Sequence, residues 1–417
     1  MGTMTDEPPY ATDRLEDGDV KVLLLENIHT VGAEFLRGKG YQVETRDGAL
    51  SEDELIEAIQ GVHLLGIRST TYVTEKVLAA APDLLAIGAF CIGTNQIELP
   101  AATKRGIAVF NAPYSNTRSV VELAIAEIIS LARRLHEKST DMHAGIWNKS
   151  AAGSHEVRGR TLGIVGYGNI GSQLSVIAEA LGLRVIFYDL DDKLALGNAR
   201  KCATLEELLA EADVVSLHVD GRPGNAGIFG DEQMSLMKPR SLFLNLSRGI
   251  TTDTAALRRH IESGHIAGAA VDVFPIEPKR QGDPFESDLR GLKNVILTPH
   301  VGGSTEEAQQ DIGRFVASKL RAFIAFGNTS LSVNLPEITM SADPQRHRLT
   351  HLHANAPGVL ATINGILGDR GVNLEAQSLA TKGDLGYVIT EVSAEVGLDV
   401  LTELAALPES VRLRQIS

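Results

Sequence analysis

Short apolar runs alternate with amphipathic stretches over the first hundred residues of the chain. The runs have the length and β-branched or leucine-rich character of buried strands, and the stretches between them repeat apolar residues at helical spacing. They lie at 20–25, 62–67, 84–87 and 107–109, with another extended segment at 41–44. Ser51 and Glu54 form a capping-box pattern that predicts a helix start. Strands that alternate with helices predict a parallel sheet covered on both faces.

The same alternation resumes after a long helical pattern at 120–143. Further strand-like runs lie at 161–165, 184–188, 214–219, 242–246, 268–273 and 295–297. A strong helical pattern at 305–326 is then predicted to pack back on the first unit. We therefore expect a domain at 116–302 inserted into a domain made of 20–115 and 303–340, although contiguous domains remain an alternative.

The two ends of the chain have different patterns. Residues 345–417 predict the order βαββαβ, which is typical of a small ferredoxin-like module. Residues 1–19 are acidic and contain two neighbouring prolines, so we predict a disordered tail.

A glycine-rich turn carries the clearest sign of function. Gly166, Gly168 and Gly171 follow an apolar strand and open a helix, and Asp189 ends the next strand. In such a βαβ unit the glycines permit a tight turn and close approach of a pyrophosphate to the helix start, and the acid binds ribose hydroxyls. An acid at this position repels a 2′-phosphate, so the pattern predicts NAD rather than NADP. A glycine-rich turn without a ligand is the alternative.

These patterns together predict an α/β fold with two doubly wound parallel sheets. A Rossmann-type NAD domain is inserted in a flavodoxin-like substrate domain, and the ferredoxin-like module follows.

Composition narrows the partners and the compartment. The net charge is -14 and the pI is about 5.4, which argues against a nucleic-acid or anionic-membrane partner. Only Cys91 and Cys202 are present, which suits a reducing compartment. No apolar run is long enough to cross a membrane, and no signal peptide is evident. We expect a cytoplasmic protein, and no pattern predicts a metal site.

Three residues stand just after three successive predicted strands. They are Arg248, Glu277 and His300, and the carboxyl ends of parallel strands border the ligand crevice. A histidine can remove a hydroxyl proton near neutral pH, a carboxylate can orient it, and a guanidinium can grip a carboxylate in two hydrogen bonds. Each residue alone is more often a cap, a surface acid or a loop cation. Together they favour catalysis of 2-hydroxy acid oxidation.

These segments resemble the D-isomer-specific 2-hydroxy acid dehydrogenases. The similarity runs from about residue 20 to the C-terminus and rests on the motifs at 67–70, 90–95, 111–118, 166–171, 245–249, 272–278 and 297–304. It implies that Arg248, Glu277 and His300 are the catalytic set. It also implies cofactor contacts from Asn169, Ile170, Leu246, Ser247, Asp272 and Gly303, besides the glycines, Asp189, Arg248 and His300.

The resemblance extends to the substrate. It implies that Arg68, Ser69 and Gly93 hold a phosphorylated hydroxy acid, 3-phosphoglycerate, together with Arg248 and His300. The product would be 3-phosphohydroxypyruvate, in the first step of L-serine biosynthesis. Related chains often carry a second basic residue where this one has Thr70, and a Thr-rich loop where this one has residues 220–225.

The resemblance also implies an assembly and a regulator. Trp147 and Lys149 match a segment that reaches a neighbouring subunit, so we expect a homo-oligomer, a tetramer by analogy. The C-terminal module resembles an ACT domain, and His353, Asn355 and Asn373 are the expected contacts for L-serine as an effector. A related glyoxylate or hydroxypyruvate reductase remains an alternative, as does a non-enzymatic NADH-sensing corepressor.

Overall fold

The computed structural model describes residues 11–12, 15–278, 282–341 and 347–416. The described chain divides into two compact units, one formed by residues up to 115 and from 309 onward, and the other by residues 116–308. Among the described residues, no helix combines the length and apolar character needed to cross a membrane.

The first unit begins with a parallel sheet. A short strand, β1 (Ala11–Thr12), precedes this sheet in the chain and belongs to another sheet. The strands of the parallel sheet are β2 (Lys21–Leu24), β3 (Gln42–Thr45), β4 (Leu64–Ile67), β5 (Ala86–Ala89) and β6 (Ala108–Phe110). The helices between them are α1 (Thr30–Arg37), α2 (Glu52–Ala58), α3 (Glu75–Ala79) and α4 (Leu99–Lys104). The strand order β3-β2-β4-β5-β6 is the flavodoxin-like order that the alternating pattern predicts. The predicted capping box at Ser51 and Glu54 is confirmed.

The second unit contains the larger sheet. Its helices are α5 (Thr117–Arg133), α6 (Leu135–His143), α7 (Asn169–Ala180), α8 (Leu205–Glu211), α9 (Asp231–Leu236) and α10 (Thr254–Glu262). Its strands are β7 (Thr161–Val165), β8 (Arg184–Tyr188), β9 (Arg200–Lys201), β10 (Val214–Leu217), β11 (Ser241–Asn245), β12 (Ile266–Val271) and β13 (Val295–Leu297). All seven strands are parallel, in the order β13-β12-β11-β10-β7-β8-β9.

The remaining elements belong mainly to the first unit. They are α11 (Glu306–Phe326), β14 (His347–Ala354), α12 (Val359–Asp369), β15 (Leu374–Lys382), β16 (Leu385–Val392), α13 (Leu398–Ala405) and β17 (Ser410–Ile416). As predicted, α11 packs on the first sheet, where Ile312 and Val316 join the core around Leu24 and Leu36. Gly32 on α1 lies close enough to the backbone at Gly313 that a Cβ there would meet the Gly313 carbonyl oxygen at 3.2 Å.

The C-terminal strands form a separate sheet in the order β1-β17-β14-β16-β15. Without β1 this is the predicted βαββαβ module. Three polar side chains of this sheet bind backbone carbonyls of the preceding elements in the same unit. Arg412 donates to Leu84 (2.6 Å), Arg414 donates to Ile324 (3.1 Å), and Tyr387 donates to Gly327 (2.7 Å). Because buried polar groups need partners, these bonds specify one docking face for the module.

Two expectations differ from the structure in detail. The helical pattern at 120–143 forms two helices, because Arg134 adopts a left-handed conformation (φ 53°) that ends α5 before α6 begins. The tail at 1–19 is not wholly disordered. Strand β1 pairs with the edge of β17, and Arg321 binds Asp17 at 3.2 Å, so an open strand edge and a nearby cation organise it. The tail's remaining residues, 1–10 and 13–14, lie outside the described residues.

Candidate active site

The order of the seven-stranded sheet brings the predicted catalytic residues to one edge. From β7 the chain adds β8 and β9 on one side of the sheet and then β10 to β13 on the other side. This change of side between β7 and β10 leaves a crevice at their carboxyl ends. Arg248 follows β11, Glu277 follows β12 and His300 follows β13, so all three stand at that same edge. Parallel pairing of neighbouring strands therefore assembles a site from residues that are far apart in sequence.

His300 and Glu277 form a direct pair. The Nδ1 atom of His300 lies 2.9 Å from Oε2 of Glu277, and the N–H of Phe274 donates to the other carboxylate oxygen at 3.0 Å. The hydrogen bond to Glu277 raises the pKa of His300 although burial opposes it. Burial likewise opposes ionisation of Glu277, but the bonds from His300 and Phe274 outweigh it and lower its pKa. Nε2 of His300 is left as the nitrogen that can take a proton from a substrate.

A buried carboxylate holds the segment that presents His300. Asp272 is 1% exposed and accepts hydrogen bonds from the N–H groups of Val301 and Gly302, both at 2.8 Å, and from the Thr298 hydroxyl at 2.6 Å. The His300 N–H donates to the Asp272 carbonyl at 2.8 Å. His300 itself has φ 54°, a conformation that side chains other than glycine rarely adopt. The Asp272 bonds hold this backbone in place.

The Arg248 turn is held by a buried asparagine. The side chain of Asn245 donates to the Arg248 carbonyl at 3.2 Å and accepts from the Ser247 N–H at 3.0 Å. Gly249 is required there, because a Cβ would overlap the backbone of Phe274. Arg248 is partly buried, and its guanidinium has one bond to its own segment, from Nη1 to the Ser247 carbonyl at 2.7 Å. Its remaining donors suit a carboxylate ligand.

The glycine turn has the shape that a dinucleotide requires. Gly166 has φ 92°, and a Cβ on it would lie 2.6 Å from the His218 carbonyl oxygen. A Cβ on Gly171 would overlap the Gly166 carbonyl, whereas one on Gly168 would meet open space. Gly168 caps the N-terminus of α7, so the open space lies where N–H groups of Asn169 and Ile170 begin the helix. The residues present fit the phosphates of NAD.

Asp189 is positioned at the end of β8 beside this turn. Its carboxylate accepts the N–H of Tyr167 at 2.7 Å and of Asp191 at 2.9 Å, so it is oriented by backbone groups. Sequence reasoning missed a nearby cation. Arg222, on the loop at 220–225, binds Asp220 at 2.6 Å, and Asp191 and Asp189 also contribute to raising its pKa. This cation comes from a distant loop, so the residues that directly follow Asp189 do not reveal it.

Two of the other expected cofactor residues, Leu246 and Ser247, are buried, at 6% and 5% exposure. Gly303 packs against Asn116, whose Nδ2 atom a Cβ would approach to 2.5 Å. Sequence reasoning also missed Glu127 on α5. Burial raises its pKa to about 8, with a smaller contribution from Asp272, so it is mostly protonated at neutral pH. A lone acid in a helical pattern carries no signal of this burial.

The residues expected to hold a phosphate lie in the first unit, at the carboxyl ends of β4 and β5. A buried acid, Glu26, accepts the N–H groups of Arg68 (3.1 Å), Thr70 (2.9 Å) and Thr71 (2.8 Å). Gln96 donates to the Arg68 carbonyl at 2.5 Å and to the Gly93 carbonyl at 3.3 Å, which ties the two loops together.

Ser69 is exposed on this loop. Sequence reasoning missed Glu26, although its place after β2 was a usable signal.

The expected effector residues do not all meet within one chain. His353 is buried and its ring packs against Gly386, and Asn355 donates to the Gly383 carbonyl at 3.2 Å. Asn373 instead lies beside Ser393, at the other end of β16. The pairs Ala354–Leu385 and Leu374–Val392 mark the two ends of β16, which strand geometry separates by roughly 20 Å.

In the second unit, the residues predicted to contact a neighbouring subunit, Trp147 and Lys149, are exposed, Trp147 at 79%.

Similarity to known proteins agrees with this geometry. Residues 125–302 match the family described as D-isomer specific 2-hydroxyacid dehydrogenase, NAD binding domain. The D-3-phosphoglycerate dehydrogenase of Escherichia coli is 49% identical over 403 residues, which cover 96% of this chain and 98% of that protein. That of Dictyostelium discoideum is 48% identical and covers 95% of this chain and 97% of its own length. The chain belongs to the D-isomer-specific 2-hydroxyacid dehydrogenase family.

Solved 2-hydroxyacid dehydrogenases have the same fold. D-2-hydroxyisocaproate dehydrogenase has a TM-score of 0.68 at 25% identity and covers 76% of this chain and 100% of its own. A D-lactate dehydrogenase from Aquifex aeolicus, solved with NAD and lactic acid, has a TM-score of 0.63 at 26% identity and covers 73% of this chain and 95% of its own.

The predictions of an NAD cofactor and of an NAD-dependent oxidoreductase are confirmed by this family membership. Residues 349–412 match the AHAS small subunit-like ACT domain, which confirms the type of the C-terminal module.

Proposed function

We propose that this protein oxidises 3-phospho-D-glycerate to 3-phosphohydroxypyruvate with NAD, in the first step of L-serine biosynthesis. The observation that carries the proposal is the His300–Glu277 pair at the carboxyl edge of the NAD-binding sheet, with Nδ1 to Oε2 at 2.9 Å. It occurs in a chain that matches D-3-phosphoglycerate dehydrogenases over nearly its whole length. The chain has only two cysteines, Cys91 and Cys202, and this low cysteine content suits a cytoplasmic setting.

The proposed mechanism divides the work among three side chains. Arg248 holds the substrate carboxylate through its guanidinium donors. Nε2 of His300 takes the hydroxyl proton, and Glu277 stabilises the resulting imidazolium and holds the ring through Nδ1. NAD, held at the glycine turn that begins α7, would supply the acceptor for the hydride. The buried Asp272 keeps the His300 segment in position and takes no part in proton transfer.

The substrate phosphate is assigned to Arg68 and Ser69. The loop that carries them is held by three N–H bonds to Glu26, so it is ordered before a ligand arrives. Related chains often have a second basic residue where this chain has the uncharged Thr70. Arg68 is therefore the main cation that would bind the substrate phosphate.

The test is NADH formation by the purified protein with 3-phosphoglycerate and NAD, with a carbonyl-trapping reagent to remove the product. D-glycerate measures the contribution of the phosphate, and NADH oxidation with glyoxylate or hydroxypyruvate tests the reductase alternative. His300→Asn is the matched inactive control. A higher kcat/KM for glyoxylate than for 3-phosphoglycerate would contradict the proposal, and NADH binding without any turnover would favour the corepressor.

We further propose that L-serine binds between two copies of the ACT module in a homotetramer. Strand β15 is the free edge of its sheet. If two copies pair antiparallel through β15, the start of one strand lies beside the end of the other. Asn373 of one copy then approaches the turn at Gly383, where Asn355 of the second copy lies. This arrangement explains why one chain alone separates the expected contacts.

Hybrid oligomers test this shared site. Asn355→Ala and Asn373→Ala should each abolish inhibition of activity by serine. When the two variants are mixed and reassembled, each ACT pair that contains one copy of each variant regains one intact site, and serine inhibition should return in part. A hybrid that stays insensitive would place both residues in one site of one chain, and an intact enzyme that ignores serine would remove the regulatory proposal.

A further inference from the structure

A cleft lined by arginines lies at the amino-terminal ends of the strands of the seven-stranded sheet, and the catalytic residues lie at the opposite, carboxyl ends. Arg160 comes directly before β7, and Arg240 comes directly before β11, whereas His300 and its partners follow the carboxyl ends. Arg134, between α5 and α6, completes the set. The cleft is narrow and opens to solvent, and His155 also lines it.

Two guanidinium groups flank the same point in this cleft. A Cβ built on Gly153 would lie 2.9 Å from Nη1 of Arg134 and 3.7 Å from Nη2 of Arg240. That position is too crowded for a ligand atom, but the two distances show that these two nitrogens are less than 6.6 Å apart. One oxyanion in front of both groups can therefore contact both, and the guanidinium fork binds oxyanions through two parallel hydrogen bonds.

The carboxylates nearby do not neutralise all of these cations. Glu137 pairs with Arg134 at 2.6 Å. Asp213 is shared between Lys238 at 2.7 Å and Arg160 at 3.9 Å. Within the described residues, the Arg240 guanidinium has no ion pair or side-chain hydrogen bond. This local excess of positive charge occurs in a chain whose net charge is -14.

The backbone at two of these arginines is unusual. Arg134 has φ 53° and Arg240 has φ 67°, a region in which glycine is far more easily accommodated. Both positions place a guanidinium in the same cleft. A structural role explains Arg134, which binds Glu137 and ends α5, but it does not explain Arg240.

We propose that this cleft binds a phosphate group, as a second anion site separate from the catalytic edge. Arg240 and Arg134 bind the phosphate oxygens, and Arg160 adds positive charge to the cleft. The same chemistry would accept inorganic phosphate or the phosphate of a small metabolite. The inference does not depend on which hydroxy acid the enzyme oxidises.

Arg240→Gly tests the site with little risk to folding, because glycine adopts φ 67° without strain. Binding of inorganic phosphate is measured by calorimetry with saturating NADH, in an Arg68→Ala background so that the proposed substrate site does not contribute. We expect Arg240→Gly to weaken phosphate binding about tenfold or more, the usual effect of losing a charged hydrogen-bond partner. Its melting temperature without phosphate should be unchanged or higher.

Arg290→Ala is the matched control, since Arg290 is an exposed arginine of the same unit that binds Glu286 at 2.9 Å, and it should leave phosphate binding unchanged. Pyrophosphate, 3-phosphoglycerate and adenosine monophosphate, titrated in the same way, distinguish the source of the phosphate group. Equal phosphate affinity in Arg240→Gly and its parent would overturn the proposal, as would the absence of phosphate binding in the parent.

Discussion

At the carboxyl ends of both parallel sheets, a buried acid holds a neighbouring loop through backbone N–H groups, but the two loops have different functions. In the seven-stranded sheet, Asp272 accepts two backbone N–H groups and a hydroxyl from the segment after β13. In the five-stranded sheet, Glu26 accepts three backbone N–H groups from the segment after β4. Both acids are buried, and both hold a neighbouring loop by its backbone.

The difference lies in what each loop presents. The Asp272 loop carries His300, whose ring is paired with Glu277 and whose pKa is raised by that pair. The Glu26 loop carries Arg68, for which the described residues provide no carboxylate ion pair. A group that must gain and lose a proton needs a fixed partner, whereas a group that must grip an anion needs its donors left available. The comparison predicts that changes at the first edge alter turnover and changes at the second alter substrate binding.

The largest effect is expected at His300. His300→Asn removes the proton acceptor, so kcat should fall by about 10² to 10⁴-fold, the usual contribution of general acid–base catalysis. NADH affinity, measured by fluorescence, should stay within about twofold because the glycine turn and Asp189 are untouched. His136→Asn, an exposed histidine on α6, is the control. Normal turnover in His300→Asn would show that another group takes the proton.

Arg248→Lys should have the next largest effect. Lysine keeps the charge but loses the planar fork, so kcat/KM for the hydroxy acid should fall by about 10- to 100-fold. Arg222→Lys is a useful comparison, since Arg222 pairs with Asp220 on a neighbouring loop and is not assigned to the substrate. An equal loss in both variants would mean that the charge of the edge matters rather than the carboxylate grip.

Glu26→Gln tests the second edge. The amide leaves one acceptor oxygen for three N–H groups, so the Arg68 loop should loosen and KM should rise about tenfold while NADH affinity is retained. Glu44→Gln, an exposed acid of the same sheet, is the control. A fall in kcat with unchanged KM would contradict the division between the two edges.

The smallest effect is expected for Glu277→Gln, with kcat reduced by about tenfold or less. The shift in pH dependence is more informative. The Glu277 carboxylate raises the pKa of His300, and oxidation needs the neutral ring. Removing the charge lowers that pKa, so the acid limb of the kcat/KM profile should move to lower pH. An acid limb that stays in place would assign it to a different group.

Much of the fold could be predicted because local patterns repeat. Apolar runs of strand length and the glycine turn at Gly166 are signals within a few residues, and they predicted both parallel sheets and the C-terminal module. Arg134 shows the limit, because nothing in the helical pattern at 120–143 marks the left-handed residue that ends α5. The strand β1 is also invisible locally, since its two residues gain a partner only at the edge of β17.

The catalytic residues were accessible to sequence reasoning for a similar reason, since each directly follows a recognisable strand. Glu26, Asn245 and Glu127 were not found by their chemistry, because an acid or an amide shows its role only through the groups that surround it. The loop at 220–225 could be singled out by its difference from related chains, but the pairing of Arg222 with Asp220 is visible only in the structure.

The strand and helix order, the dinucleotide turn and the chemical types available at each strand end follow from the sequence alone. Tertiary contacts are needed to show that Asp272 and Glu26 hold the functional loops, that Arg134 and Arg240 share one cleft, and that Asn355 and Asn373 lie apart. The physical reason is the range over which each kind of interaction acts along the chain. Propensity and periodicity act between residues close in the chain, whereas hydrogen bonds and burial depend on which distant segments the folded chain brings into contact.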